Sequence, residues 1–340
     1  MTGLQFSSIH INKDHYQEYS FLGNKEVIDN LSQVNIFIGK NNSGKSRLMR
    51  KIFTDEDISF NTKEIDIENF NNLLLGFKQQ FEKITLADSN HYTNYKNYKN
   101  SIQDIQPFSF LKKRIDHSGN LKALQSIINT FNQYGYKENS GNKALRLTYD
   151  FLKTYKEAFH NPSNISEHNY KSIYIPTLRG LRPIQTNSSS NDSFNNNSDS
   201  YLHRTNSDYF KKVEKSDSIY TGLSFYNDIN KYSRGNPTLR KQLADFKRFL
   251  SETFFNGVTV DLIPNINDDV VHVEIGDNEE PIHNLGDGIQ ALIIITYPLF
   301  FNQDKVLKVF IEEPETHLHP GYQPGLLCSK QLGYKVYLCH

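Results

Sequence analysis

Residues 34–46 read VNIFIGKNNSGKS. An apolar segment typical of a buried strand leads into a loop bounded by Gly39 and Gly44, and Lys45 and Ser46 then begin a segment with helical spacing of apolar residues. This order matches the P-loop pattern G-x-x-x-x-G-K-[ST] in the strand–loop–helix context that the pattern requires. The alternative is a glycine-rich strand-to-helix turn with a surface lysine, and the flanking strand and helix favour the P-loop.

The chemistry of a P-loop assigns roles to these residues. Backbone N–H groups between Gly39 and Gly44 surround phosphate oxygens, and the helix that begins at Lys45 directs the positive end of its dipole to the same place. Lys45 reaches the β- and γ-phosphates, and the Ser46 hydroxyl ligates Mg²⁺. We therefore expect ATP and Mg²⁺ as cofactors. The predicted nucleotide-binding residues are Gly39, Asn41, Asn42, Ser43, Gly44, Lys45, Ser46 and Arg47.

The composition restricts the class of protein. The 340 residues suffice for one large or two ordinary domains. Lys+Arg and Asp+Glu both number 38, so the net charge of zero neither favours nor excludes nucleic acid, and any basic surface must be local. The two cysteines provide no disulfide framework, and the sequence contains no signal peptide and no apolar run of membrane length. We expect a cytoplasmic protein that does not associate with membranes.

Several segments of the middle region have a helical pattern. Apolar residues recur at helical spacing over 70–84, 121–131, 144–159 and 238–255. The stretch 90–100 is rich in Tyr, Asn and Lys, and is either a stacking surface for nucleic acid or a polar loop.

Strands and one loop are predicted elsewhere. Alternating or apolar patterns predict strands at 4–11 and 172–175, and a β-hairpin from the segments 258–262 and 271–275. The loop at 186–206 contains a run made almost entirely of Asn, Ser and Asp, which cannot bury enough apolar surface to offset the entropy of ordering. We therefore expect this loop to be disordered.

A second chemical motif ends the apolar segment 306–311, where Glu312 and Glu313 follow. A buried parallel strand that delivers carboxylates at its C-terminal end is the Walker B arrangement. On an extended backbone the two neighbours point to opposite sides, which suits two roles. Glu312 is the predicted Mg²⁺ ligand together with Ser46, and Glu313 the predicted general base. The alternative is a strand that ends in solvated acids.

A third motif, Leu285-Gly286-Asp287-Gly288-Ile289-Gln290, precedes an apolar run with the character of a helix. Two glycines at a helix start form another arrangement suited to anions. The alternative is a plain turn into a core helix.

Three motifs together carry a family resemblance: GKNNSGKS at 39–46, LGDGIQ at 285–290 and FIEEPETHLHP at 310–320. With them the chain resembles the ABC-type ATPases of the SMC and OLD group, including AAA-labelled relatives in bacterial anti-phage systems. The resemblance implies an α/β fold, a P-loop NTPase of ABC-ATPase type, with a mixed sheet, flanking helices and an inserted, mainly helical domain.

The resemblance also implies domain boundaries. The ATPase head would comprise residues 1–55 and 256–340, and the helical insert residues 56–170. Residues 171–255 would return to the head through a strand, the disordered loop and a helix. The chain ends where such relatives continue, so it is either truncated or short with its effector on another polypeptide.

Further site residues follow from the resemblance. Gly286, Asp287 and Gly288 would form the signature motif that closes on nucleotide bound by a second subunit. His317 and His319 would lie in the D-loop at the dimer seam, with zinc binding or plain packing as alternatives. His340 would be the catalytic switch histidine beside Lys45 and Glu313, or else an incidental terminal residue. Independently of the resemblance, Arg179 and Arg182 follow the strand predicted at 172–175 and are hypothesised to contact nucleotide or DNA backbone, with a structural salt bridge or a surface loop as the alternative.

The implied function is an ATP-dependent dimer switch that binds and slowly hydrolyses ATP, as the ATPase component of an anti-phage defence or DNA-surveillance complex. The expected partners are a second copy, in a homodimer or higher even oligomer, and a separate nuclease or toxin effector, with DNA left open. Two alternatives remain: a non-hydrolysing, ATP-gated scaffold that holds a toxin or nuclease, and an SMC-like DNA repair ATPase.

Overall fold

A computed structural model shows that the chain divides into two compact units. One unit comprises residues 1–32 and 56–170, and the other residues 33–55 and 171–340. The predicted ATPase head, by contrast, included all of 1–55. The structure describes residues 6–19, 26–32, 34–40, 42–55, 58–62, 67–83, 100, 102–103, 146–148, 150–151, 153, 170–181, 199–210, 218–303, 306–314 and 335–339.

The first unit contains a small antiparallel sheet. Strands β1 (Phe6–His10), β2 (Val27–Ile28) and β4 (Ser59–Thr62) form it in the order β2-β1-β4. The fully buried Ile9 lies opposite Ile28 and Phe60. The strand predicted at 4–11 is thus confirmed. Within the range 56–170, which was predicted to be mainly helical, β4 is a strand because its backbone pairs with β1.

Helix α2 (Ile67–Glu82) follows β4 and packs against it. Its buried side chains Leu74, Phe77 and Phe81 recur at intervals of three and four residues, as the sequence pattern predicted. The predicted helix at 121–131 lies outside the described residues. Of the helix predicted at 144–159, the described residues 146–148, 150–151 and 153 are helical.

The second unit is built on a four-stranded sheet. Strands β3 (Val34–Phe37), β5 (Tyr170–Ile175), β9 (Val306–Glu312) and β10 (Lys335–Cys339) lie in the order β3-β10-β9-β5. Strand β10 is parallel to both of its neighbours, with Leu338 opposite Ile36 and Ile311. The C-terminal ends of β3, β10 and β9 therefore meet at one edge of the sheet.

Helices and a second sheet complete this unit. The helices are α1 (Lys45–Thr54), α3 (Ser200–Tyr209), α4 (Phe225–Arg234), α5 (Pro237–Phe254) and α6 (Asp287–Phe300). Strands β6 (Val260–Asn265), β7 (Val270–Ile275) and β8 (Asn278–Pro281) form an antiparallel meander. The predicted helix at 238–255 and the predicted hairpin are confirmed, and the meander adds a third strand that was not predicted.

The prediction of a disordered loop at 186–206 is wrong at its C-terminal end. Residues 200–206 belong to α3, whose N-terminus is capped by Asp199, which accepts a 2.7 Å hydrogen bond from the Leu202 N–H. The other Asp199 oxygen accepts from the Thr221 hydroxyl, and Thr205 is fully buried. These tertiary contacts supply the stabilisation that the composition alone did not indicate.

The core of this unit surrounds α6. Every residue of α6 from Ala291 to Phe300 is buried, as expected for a helix that is apolar on all sides. Strand β9 is buried on both faces from Leu307 to Glu312, as a central strand of a parallel sheet must be. No helix among the described residues is both long enough and apolar enough to span a membrane.

Candidate nucleotide site

The loop between β3 and α1 has the backbone that a P-loop needs. Gly44 precedes α1 in the left-handed region with φ of 88°, and Asn42 is left-handed with φ of 63°. Glycine adopts this region freely and asparagine does so more readily than most residues. The Ser43 N–H donates to the Lys40 carbonyl at 3.1 Å, which folds the loop back on itself.

Gly39 and Lys45 close the concave side of the loop. A Cβ on Gly39 would lie 2.9 Å from the Ser43 Oγ, so a larger residue would require the Ser43 side chain to move. The Lys45 ammonium donates to the carbonyls of Gly39 at 2.5 Å and Lys40 at 3.1 Å. Its charge is therefore held inside the loop, where phosphate oxygens could replace the carbonyl acceptors.

The remaining predicted loop residues have varied positions. Ser46 is half-buried in the first turn of α1, whereas Arg47 and Ser43 are exposed. Asn41 lies outside the described residues.

Glu312, at the end of β9, is buried with 1% of its side chain exposed. Arg50 reaches it from α1: Nε and Nη2 lie 2.8 and 2.6 Å from Oε1. On the other carboxylate oxygen, the Thr177 hydroxyl donates to Oε2 at 3.1 Å. The charge of this buried carboxylate is thus compensated within the protein.

Arg50 can reach Glu312 because of its place on α1. It lies four residues after Ser46, so the two side chains share a helix face, and α1 packs against β9 and β10. Its guanidinium also donates from Nε to the Tyr174 hydroxyl at 3.0 Å and lies 3.6 Å from the centre of the Tyr209 ring.

The electrostatics of this cluster follow from burial and from the Glu312 charge. Burial lowers the pKa of Arg50, but the attraction of Tyr174 and Glu312 outweighs it and leaves that pKa raised. Burial raises the pKa of Tyr174 well above its usual value, and the neighbouring Glu312 carboxylate raises it further. Tyr174 therefore stays a neutral hydroxyl beside the Glu312 carboxylate, where it accepts the hydrogen bond from Arg50 Nε.

Glu313 leaves the strand. It is exposed, and its φ of 43° is left-handed. The expectation that Glu312 and Glu313 share an extended backbone is therefore wrong.

Arg179 contacts the backbone at this turn. Its guanidinium donates from Nη1 to the Glu312 carbonyl at 2.7 Å and from Nη2 to the Glu313 carbonyl at 2.9 Å. A third bond runs from Nη1 to the Pro176 carbonyl at 3.0 Å. The sequence left Arg179 open between contact with nucleotide or DNA and a structural role, and these three bonds to backbone carbonyls are structural contacts within the protein. Arg182 lies outside the described residues.

Gly286 to Gly288 stand at the start of α6. Gly286 is the N-cap residue, Asp287 is the first helical residue, and no heavy atom lies within 4 Å of a Cβ placed on Gly286. The predicted residues His317, His319 and His340 lie outside the described part of the chain.

The sheet sets the distance between the two halves of the site. One strand, β10, separates β3 from β9, so the P-loop and Glu312 stand about 10 Å apart at the same sheet edge. Ligands of open α/β sheets bind at this edge. In the described ranges no group of three or more His, Cys, Asp or Glu side chains could hold a metal ion. Mg²⁺ fits this donor set, because it is usually bound by one or two protein oxygens together with substrate phosphates.

The loop and the acidic strand end together define a P-loop nucleotide-binding protein. Over residues 21–328 the sequence matches the family described as AAA ATPase domain. The match spans most of the chain, which therefore belongs to the AAA ATPase domain family. Membership establishes the P-loop NTPase α/β fold and indicates ATP binding and ATPase activity. No curated protein matches the chain.

Sequence reasoning missed Arg50, Tyr174 and Thr177. The spacing of Ser46 and Arg50 was a usable signal, because residues four apart lie on the same helix face. No comparable local signal indicated Tyr174 or Thr177, since their approach to Glu312 depends on the pairing of β5 with β9.

Proposed function

We propose that the chain binds Mg²⁺·ATP on the P-loop and hydrolyses it with Glu313 as general base. One observation carries this proposal: parallel strands bring the loop at 39–46 and the Glu312-Glu313 pair to the same sheet edge, with one strand between them. This spacing accommodates a triphosphate between the Lys45 ammonium and the exposed Glu313 carboxylate.

Each residue has a role that its position supports. Lys45 would exchange its loop carbonyls for phosphate oxygens and neutralise the charge that develops in the transition state. The N–H groups at the start of α1 would hold the phosphates. Ser46 and Glu312 would hold Mg²⁺, which when bound neutralises phosphate charge. Because Arg50 and Thr177 already donate to Glu312, this carboxylate would act on Mg²⁺ through water or after releasing a donor.

We further propose that ATP closes a dimer or a higher even oligomer. The support is the open backbone at Gly286, at the start of the 14-residue helix α6, where N–H groups can receive phosphate from a second copy. The motif resemblance supports a cytoplasmic role in anti-phage defence or DNA surveillance, with a separate nuclease or toxin as effector.

The test compares wild type, Glu313→Gln, Lys45→Ala and, as a matched control, Glu252→Gln at an exposed position of α5. We expect ATP turnover in wild type and Glu252→Gln, loss of turnover with retained nucleotide binding in Glu313→Gln, and loss of binding in Lys45→Ala. The mass in solution should rise with Mg²⁺·ATP, most persistently in Glu313→Gln. A mass that nucleotide leaves unchanged would refute the dimer switch.

A second candidate function is a non-hydrolysing, ATP-gated scaffold that holds a toxin or nuclease. The hydrogen bonds of Glu312 favour this candidate, because a carboxylate that already accepts from Arg50 and Thr177 is less available to a metal ion. This candidate predicts that turnover is unmeasurable in wild type and Glu313→Gln alike, while ATP still changes the assembly.

The SMC-like DNA repair alternative has less support. Residues 256–303 contain eight Asp or Glu and no Lys or Arg, so this segment supplies no basic surface for a nucleic-acid backbone. Salt-sensitive DNA binding that ATP stimulates would reinstate this alternative.

A further inference from the structure

We propose that Arg179 is a positioning residue for the reaction: it holds the left-handed turn that aims the Glu313 carboxylate. This inference rests on the proposed function, in which Glu313 is the general base. Arg179 itself would touch neither the water nor the phosphate.

The turn at Glu313 is one that the chain would not adopt unaided. A left-handed backbone brings Cβ too close to the following carbonyl in residues other than glycine, and glutamate has no side chain suited to relieve this. Pro314 follows, and a residue before proline favours an extended backbone. Without external contacts Glu313 would therefore return to the extended conformation of β9 and direct its side chain elsewhere.

Arg179 supplies such contacts on both sides of the turn. The two nitrogens Nη1 and Nη2 donate to consecutive carbonyls, those of Glu312 and Glu313, at 2.7 and 2.9 Å. The planar guanidinium fixes the separation of its two nitrogens, so it also fixes the relative orientation of the two peptide groups. The additional bond to the Pro176 carbonyl ties Arg179 to its own segment.

The Glu312 side chain fixes the residue that precedes the turn. Its carboxylate is held by Arg50 from α1 and by Thr177, which lies two residues before Arg179. The strand end is thus fixed by its side chain at Glu312 and by its backbone at Glu313. The Glu313 residue itself is exposed.

The experiment measures kcat, KM and nucleotide affinity for wild type, Arg179→Lys and Arg179→Met. The control is Lys171→Met, which removes a 3.0 Å hydrogen bond to Asn302 from β5, the strand that precedes Arg179. We expect kcat to fall about 100-fold in Arg179→Met with nucleotide affinity retained, because a displacement of about 1 Å at a reacting group has this effect. The kcat of Arg179→Lys should lie between those of wild type and Arg179→Met, because lysine is a single point charge and cannot make the paired contact. The control should match wild type.

Combining substitutions separates positioning from general damage. If Arg179 acts through Glu313, the effects of the two substitutions should not add, because the residues act as a unit. The double variant Arg179→Lys/Glu313→Gln should then have the same residual single-turnover rate as Glu313→Gln alone. An equal fall in both backgrounds, or an unchanged kcat in both Arg179 variants, would overturn the inference and leave the proposed function intact. Should Arg179→Met not fold, Arg179→Lys decides on the same criteria. Absence of turnover in wild type would overturn both proposals.

Discussion

Arg50 and Glu312 are 262 positions apart in the sequence, yet two nitrogens of the Arg50 guanidinium lie 2.8 and 2.6 Å from one oxygen of the Glu312 carboxylate. The pair joins the helix that follows the P-loop to the strand that ends in the acidic residues. Since the Glu312 side chain is almost fully buried and the Arg50 side chain is 21% exposed, the pair is screened by salt much less than a surface pair would be.

Breaking this pair should destabilise the protein strongly. Arg50→Met leaves the Glu312 charge buried without its main partner, and we expect the free energy of unfolding to fall by about 3 kcal/mol. Denaturation in urea measures it, and the double variant with Glu312→Gln should recover part of the loss. The control Arg248→Ala removes an arginine with 65% exposure that lies 3.4 Å from Asp245, and should cost less than about 1 kcal/mol. Equal losses in both single arginine variants would contradict the assignment.

The P-loop should tolerate glycine at one left-handed position and require it at another. Gly44→Ala introduces strain of about 1–2 kcal/mol at φ of 88°, so nucleotide affinity should fall about ten-fold or more. Asn42→Gly keeps the left-handed backbone at φ of 63°, so affinity should stay close to wild type. Titration with a fluorescent nucleotide compares the two, and the reverse ranking would show that the loop changes its backbone when it binds.

Asp228 should make stability depend on pH. Burial raises its pKa above the usual value, although hydrogen bonds from Ser224 and Tyr297 oppose this. A raised folded pKa favours the protonated form, so this contribution is full below the unfolded pKa of about 3.9 and is lost as pH rises through the folded pKa. Asp228→Asn cannot ionise. The stability of wild type relative to this variant should therefore fall as pH rises.

Thermal unfolding of wild type and Asp228→Asn across the acidic range measures this trend. Ser224→Ala provides a second arm, because it removes a bond that lowers the Asp228 pKa and should extend the loss to higher pH. A difference between wild type and Asp228→Asn that is constant with pH would contradict the prediction.

Phe246 should be critical for packing around α6. It is fully buried, and the centre of its ring lies 5.2–5.7 Å from the ring centres of Tyr297, Phe300 and Phe301. Phe246→Ala should lower the free energy of unfolding by about 3–5 kcal/mol, because the neighbours cannot fill the cavity. Val258→Ala, at a side chain with 45% exposure, should change it by less than about 1 kcal/mol. Urea denaturation compares the two, and a similar loss in each would show that the core repacks around the cavity.

Local features were predicted well. The P-loop, α1, α5 and the β6–β7 hairpin each carry their pattern within a short segment, through periodicity or through glycines at turns. Strand β8 was not predicted, because its sequence Asn-Glu-Glu-Pro is polar and its first three residues are exposed. It is a strand because the free edge of β7 pairs with it, and no property of the segment itself shows this.

The P-loop and the acidic end of β9 could be predicted from the sequence, because both depend on residue types at fixed short spacings. How the two carboxylates are used depends on contacts between distant segments. Sheet pairing buries Glu312 under Arg50 and Thr177, and Arg179 holds Glu313 in a backbone conformation that glutamate before proline disfavours. Such contacts join residues more than a hundred positions apart, so their energies are set by the packing of whole elements and not by any local pattern.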